Sequence, residues 1–130
     1  MRLKQITPSL KTNDLPRTIQ FYTDTLGFTV QVLWPEEEPS LAILTQGDVR
    51  ISFFMDADDA EPVPRVTGQF WIDVEEVLAL HETLAGKVDV LWGPEVYHYQ
   101  RREFAIKDPN GYTLTFSEPT DDPPTSLEDE

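Results

Sequence analysis

Residues Asp24–Pro35 read DTLGFTVQVLWP, and residues Glu82–Pro94 read ETLAGKVDVLWGP. At a constant offset of 58, the pairs Thr25/Thr83, Leu26/Leu84, Val30/Val88, Val32/Val90, Leu33/Leu91 and Trp34/Trp92 are identical, and Asp24/Glu82 is conservative. Six identities within eleven positions point to duplication of a supersecondary module, because the unit is far too long for a solenoid turn.

The flanks of the two copies agree in type. Leu3–Thr12 alternates loosely as a strand. Asn13-Asp14 then offers a helix N-cap, Pro16 sits in the first turn, Ile19, Tyr22 and Leu26 form an apolar stripe, and Gly27 ends the helix. Phe28–Trp34 alternates as a strand, and Gln46-Gly47-Asp48 joins the strands Leu41–Thr45 and Val49–Met55. The second copy predicts a strand over Gly68–Val74 and a helix from Glu75-Glu76 through Leu84, with Val77, Leu80 and Leu84 on one face. Further strands are expected over Val88–Trp92, Glu95–Ile106 and Tyr112–Glu118. The last two flank Asp108-Pro109-Asn110-Gly111, a turn with Pro at its second position and Gly at its fourth. The fold class is α+β: two tandem βαβββ modules, 1–60 and 61–118, within one domain 1–118. Residues 119–130 (PTDDPPTSLEDE) carry three prolines and five acids and read as a mobile acidic tail.

Composition narrows the chemistry. The chain has 130 residues, enough for a core without staples. The absence of cysteine excludes disulfides, thiolate metal sites and a cysteine nucleophile. Only His81 and His98 are present, so a three-histidine metal site within one chain is impossible. Ten Lys and Arg stand against 24 Asp and Glu, a net charge of −14 that repels nucleic acid and anionic membranes and favours cationic small ligands or plain solubility. No apolar run reaches membrane-spanning length and the N-terminus lacks a signal-peptide core, so a cytoplasmic location is the default.

Two motifs carry a family resemblance. The first is Thr12-Asn13-Asp14-Leu15 followed by Ile19, Phe21-Tyr22 and Leu26-Gly27-Phe28. The second is Phe104-Ala105-Ile106-Lys107-Asp108-Pro109-Asn110-Gly111 followed by Leu114 and Phe116. With the internal repeat, the chain resembles the vicinal oxygen chelate superfamily of glyoxalases, extradiol dioxygenases and bleomycin resistance proteins. The resemblance implies half-barrels around a cavity that in the enzymes holds a divalent metal. Its four ligand positions fall here on Thr7, Ser52, Gln69 and Thr115, hydroxyls and one amide that offer no charge to a cation. The resemblance is therefore nearest to the bleomycin resistance branch, which implies a homodimer without metal or other cofactor that sequesters a cationic antibiotic without chemical change. The two drug-stacking tryptophans of that branch fall on Gln69 and Gln100. An alternative is a metal-dependent or metal-free enzyme of the same superfamily.

Period-2 alternation sets the expected cavity faces. Gln69 and Trp71 share a face with Asp73, and Ser52 shares one with Phe54. Thr113, Thr115 and Ser117 line an opposite wall. Trp34 and Trp92, paired by the repeat, are expected as stacking platforms or as packing at strand ends. On one long strand, Tyr97, Tyr99 and Arg101 would share one face and His98, Gln100 and Arg102 the other. Arg101 and Arg102 would pair with acids or clamp an anionic group. The expected ligand contacts are thus Thr7, Trp34, Ser52, Phe54, Gln69, Trp71, Trp92, Tyr99, Arg102 and Thr115, with no catalytic residue. His81 reads as an ordinary helix histidine. The acidic loops Glu36-Glu37-Glu38 and Asp56, Asp58, Asp59 and Glu61 read as solvated rims that could draw in a cationic ligand.

Overall fold

The structure, a computed structural model, describes residues 1–2, 4–56 and 69–126. Asp14 begins the first helix by accepting the Arg17 N–H on its Oδ1 at 3.1 Å, with Pro16 in the first turn. The helix α1 (Leu15–Gln20) widens into a π-helical turn over Phe21–Thr25, whose hydrogen bond runs from Leu26 N to Phe21 O at 3.3 Å. Gly27, at φ +76°, then turns the chain into strand β2 (Thr29–Trp34). The strands β1 (Ser9–Lys11), β3 (Leu41–Gln46) and β4 (Val49–Phe54) complete a four-stranded sheet of order β1-β4-β3-β2, with β1 parallel to β4 and the other pairs antiparallel. Tyr22 is fully buried from the helix side against Phe28 and Phe53, at ring distances of 5.4 and 4.9 Å. Leu15, Ala42, Leu44 and Ile51 close the core around it.

The second unit repeats this plan. Its elements β5 (Gln69–Asp73), α2 (Val77–Leu84), β6 (Asp89–Tyr97), β7 (Arg101–Lys107) and β8 (Thr113–Pro119) form a sheet of order β5-β8-β7-β6, with β5 parallel to β8. Val77 and Leu84 of α2 are buried, as are Phe104, Ile106, Leu114 and Phe116 of the sheet. Full burial of each such side chain is worth ~1.5–3 kcal/mol. His81, half-buried on α2, packs edge-on against Phe104 at 5.2 Å. No side chain of α2 caps its own N-terminus. Glu118 reaches across from β8 instead and accepts the Val77 N–H at 3.1 Å. The Asp108 turn forms as read. Its buried carboxylate takes the N–H groups of Asn110 and Tyr112 at 2.9 and 2.8 Å, and Gly111, at φ +92°, donates to the Asp108 carbonyl.

Three expectations are corrected. Glu95–Ile106 is not one strand: β6 runs unbroken from Asp89 to Tyr97, and residues 98–100 turn the chain into β7. Gln100, at φ +66°, makes that turn without glycine or proline, and its N–H closes on the Tyr97 carbonyl at 3.0 Å. Among the described residues, the strand expected over Leu3–Thr12 is formed only at Ser9–Lys11. The constant offset of 58 does not hold in three dimensions. Both modules carry a bulge in their second strand, between Val30 and Val32 in one and between Val90 and Trp92 in the other. The cross-strand row Ser9–Ser52–Ile43–Val32 therefore matches Trp71–Thr115–Ala105–Trp92, which pairs Trp92 with Val32 and not with Trp34.

The chain divides into two compact units, Met1–Arg65 and Val66–Glu130. Among the described residues no helix is long and apolar enough to cross a membrane. Glu36–Glu38 are exposed, whereas Asp58, Asp59 and Glu61 lie outside the described residues.

Candidate functional site

One face of the second sheet is buried under α2, and the other lines a cavity of about 660 Å³. A space of that size holds a drug-sized molecule. Alternation assigns the lining from β5, β7 and β8, and the irregular pairing between Trp92 and Glu95 brings both to the cavity face of β6. Gln69 and Trp71 come from β5, Thr115 from β8, Glu103 from β7, and Trp92, Glu95 and Tyr97 from β6.

Aromatic rings form its most ordered feature. Tyr99, in the turn after β6, stacks on Tyr97 at 5.6 Å and 7° and on Trp71 at 6.1 Å and 15°. These are offset-stacked distances, so the three near-parallel rings form one ladder. Tyr97 is its buried end at 8% exposure, and Trp71 its outer end at 54%. Trp92 lines the same cavity from the opposite edge of the sheet and is 40% exposed.

Two carboxylates complete the site. Glu103 is 2% exposed, a costly place for a charge. Two hydroxyls compensate it: Tyr99 OH donates to Oε1 at 2.6 Å and Ser117 Oγ to Oε2 at 2.8 Å. Ser117 Oγ in turn accepts from Arg101 Nε at 2.5 Å, while Arg101 Nη2 pairs with Asp73 at 2.7 Å. Glu95 stands directly across β6–β7 from Glu103 and accepts a hydrogen bond from the Thr125 hydroxyl on Oε2 at 2.6 Å. Among the described residues these two glutamates are the only charged side chains lining this cavity. The lining is therefore acidic and aromatic, a combination that attracts cations by Coulomb force and by the ring quadrupoles.

Of the residues singled out in the sequence, the structure gathers Gln69, Trp71, Trp92, Tyr99 and Thr115 around this cavity, with Thr115 Oγ1 donating to Gln69 Oε1 at 3.3 Å. Arg102 is placed elsewhere. It lies on the α2 side of β7, bonded to Asp122 and 3.7 Å from Glu118, the same carboxylate that caps α2. Thr7, Trp34, Ser52 and Phe54 all belong to the first unit, where a second, polar cavity of about 500 Å³ includes none of them. Ser52 is buried, whereas Trp34 is 63% exposed at the end of β2. The sequence reading did not single out Glu95, Tyr97, Glu103, Thr125 and Ser126 as site residues. Alternation within β7 would have found Glu103 once the turn at 98–100 was placed.

The four family metal positions do not fit a divalent ion. Arg50 Nε donates to Thr7 Oγ1 at 2.8 Å, placing a cation at the first position, and Gln69 and Thr115 bond to each other. Among the described residues no group of three His, Asp or Glu side chains could hold a metal.

A sequence profile of the Glyoxalase/Bleomycin resistance protein/Dioxygenase superfamily matches residues 2–116. The chain belongs to this superfamily. Solved structures agree with the assignment. The bleomycin-binding protein of the bleomycin producer Streptomyces verticillus, solved with copper(II)-bleomycin, is 26% identical with a TM-score of 0.68, over 89% of this chain and 96% of its own. TioX from Micromonospora sp. ML1 has a TM-score of 0.74 at 16% identity, covering 88% of this chain and 98% of its own. An integron cassette protein from the Halifax Harbour sewage outfall metagenome has a TM-score of 0.71 at 23% identity, covering 88% and 97%. These last two likenesses concern the fold. No curated protein sequence matches the chain.

Proposed function

We propose that the chain is a binding protein that captures a planar, cationic natural product without changing it chemically and so protects by stoichiometric sequestration. The observation that carries this reading is the cavity of the second unit, where the Tyr97–Tyr99–Trp71 ladder and two carboxylates share one lining with no cation among its described residues. Bleomycin-class antibiotics are one candidate ligand, supported by the 26% identity to a bleomycin-binding protein. The protein acts as a homodimer in this proposal. The donor set at Thr7, Ser52, Gln69 and Thr115 favours capture over metal-dependent turnover.

Tryptophan fluorescence tests the reading. The chain has three tryptophans, two of which line the cavity. Titration with proflavine, a planar cation, and with bleomycin, copper-free and copper-loaded, should quench them. Trp71→Ala should weaken binding about tenfold, the scale of one lost stacking contact. Absence of quenching by all three probes, or unchanged affinity in Trp71→Ala, would overturn the proposal.

A further inference from the structure

The stretch read as a mobile tail has fixed partners as far as Ser126, while 127–130 lie outside the described residues. At its near end Thr120 N donates to the Gln100 carbonyl at 3.1 Å, and Asp122 bonds Arg102. At its far end Thr125 N and Ser126 N both donate to the Val96 carbonyl, at 2.8 and 3.1 Å, and Val96 N donates back to Thr125 Oγ1 at 2.7 Å. Between these anchors stand Pro123 and Pro124, which have no N–H to give and cannot extend the sheet as another strand. The segment is thus a strap pinned at both ends along β6, an edge of the sheet. Thr125 and Ser126 line the cavity beside Glu95, and both lie beyond residue 116, where the family match ends.

We infer that the C-terminal strap is a wall of the binding cavity, and that Thr125 is a positioning residue that holds the Glu95 carboxylate for the cationic group of a ligand. The Thr125 hydroxyl is used twice, accepting from Val96 N and donating to Glu95 Oε2 at 2.6 Å. It does for Glu95 what Tyr99 and Ser117 do for Glu103. Glu95 sits on an edge strand, where an untethered side chain would sample several rotamers. A carboxylate fixed in advance binds without that ordering cost. The inference rests on the reading of the cavity as a cation site, and it gives the strap a part in affinity that its disorder-like composition conceals.

The test compares full-length wild type, Thr125→Val and Thr125→Ser in two measurements. Proflavine affinity should fall about tenfold in Thr125→Val, the loss of one charge-assisted hydrogen bond, and return to within about twofold in Thr125→Ser. Amide exchange at Val96 should be slow in wild type and Thr125→Ser and about tenfold faster in Thr125→Val, which lacks its acceptor. If wild type binds proflavine and Thr125→Val binds it equally well, or Thr125→Ser fails to restore binding, the positioning role is overturned. If no variant binds proflavine, or bleomycin with or without copper, the functional reading fails. The strap is then judged on exchange alone: Val96 exchanging at one rate in all three proteins overturns it, and acceleration confined to Thr125→Val upholds it as a wall.

Discussion

Gly93 is where the structure makes its sharpest energetic demand. It lies in β6 at the irregular pairing between Trp92 and Glu95, with φ at +83°, and it lines the cavity. A Cβ at this position would stand 2.4 Å from the Glu103 carbonyl oxygen and 2.8 Å from the Phe104 Cα. Both are backbone atoms of the neighbouring strand, and Phe104 is fully buried, so neither can yield cheaply. Gly93→Ala therefore incurs a left-handed backbone cost of ~1–2 kcal/mol and an overpacking cost of ~1–3 kcal/mol. For a domain of this length each kcal/mol lowers Tm by about 3–5 °C, so a drop of about 10 °C is expected by thermal circular dichroism. Gly47→Ala is the control. Its φ is +56° and nothing lies within 4 Å of its Cβ, so it carries the backbone cost without the clash. Equal melting of the two variants, or a Gly93→Ala protein that melts within about 2 °C of wild type, would refute the close approach of β6 to β7 and with it the shape of the cavity.

Tyr99→Phe keeps the ring ladder but removes a hydroxyl donor from the buried Glu103. It should cost ~1–2 kcal/mol in urea unfolding, and no loss would mean that the Tyr99–Glu103 bond is not made in solution. Phe104→Ala removes a fully buried ring that touches His81 and Phe116. The same assay should show a loss of ~3–5 kcal/mol, and a loss below about 1 kcal/mol would contradict the packing of β7 under α2.

The parts of this fold that were legible in the sequence are those fixed by local chemistry. The Asp14 cap, the Asp108–Gly111 turn and the alternation of β5 and β8 depend on neighbours in the chain, and each formed as read. The turn at 98–100 was hidden because the run Tyr97–Arg102 contains no glycine or proline and Gln100 takes the left-handed conformation instead. The repeat exposed the duplication, but its offset of 58 does not hold across the strand rows, where the matching bulges of β2 and β6 lie 60 residues apart and Trp92 stands with Val32, not Trp34. The pair Glu95 and Glu103 is brought together by β6–β7 register, and beside the nearby Tyr99 its hydroxyl donors arrive from Ser117 and Thr125, 14 and 30 residues away. The strap escaped notice for the same reason: proline and acid content describe its own propensity, while its partners lie on Val96, Gln100 and Arg102.

A thermal-shift panel on chelator-treated protein tests the central claim most directly. It would set divalent nickel, zinc and iron beside proflavine and beside bleomycin with and without copper. A ligand at about a hundredfold over its Kd adds ~2.7 kcal/mol of stability, a rise of several degrees for a chain of this size. The account predicts that rise with a planar cation and none with the metals alone. A rise with a metal and none with any planar cation would contradict it.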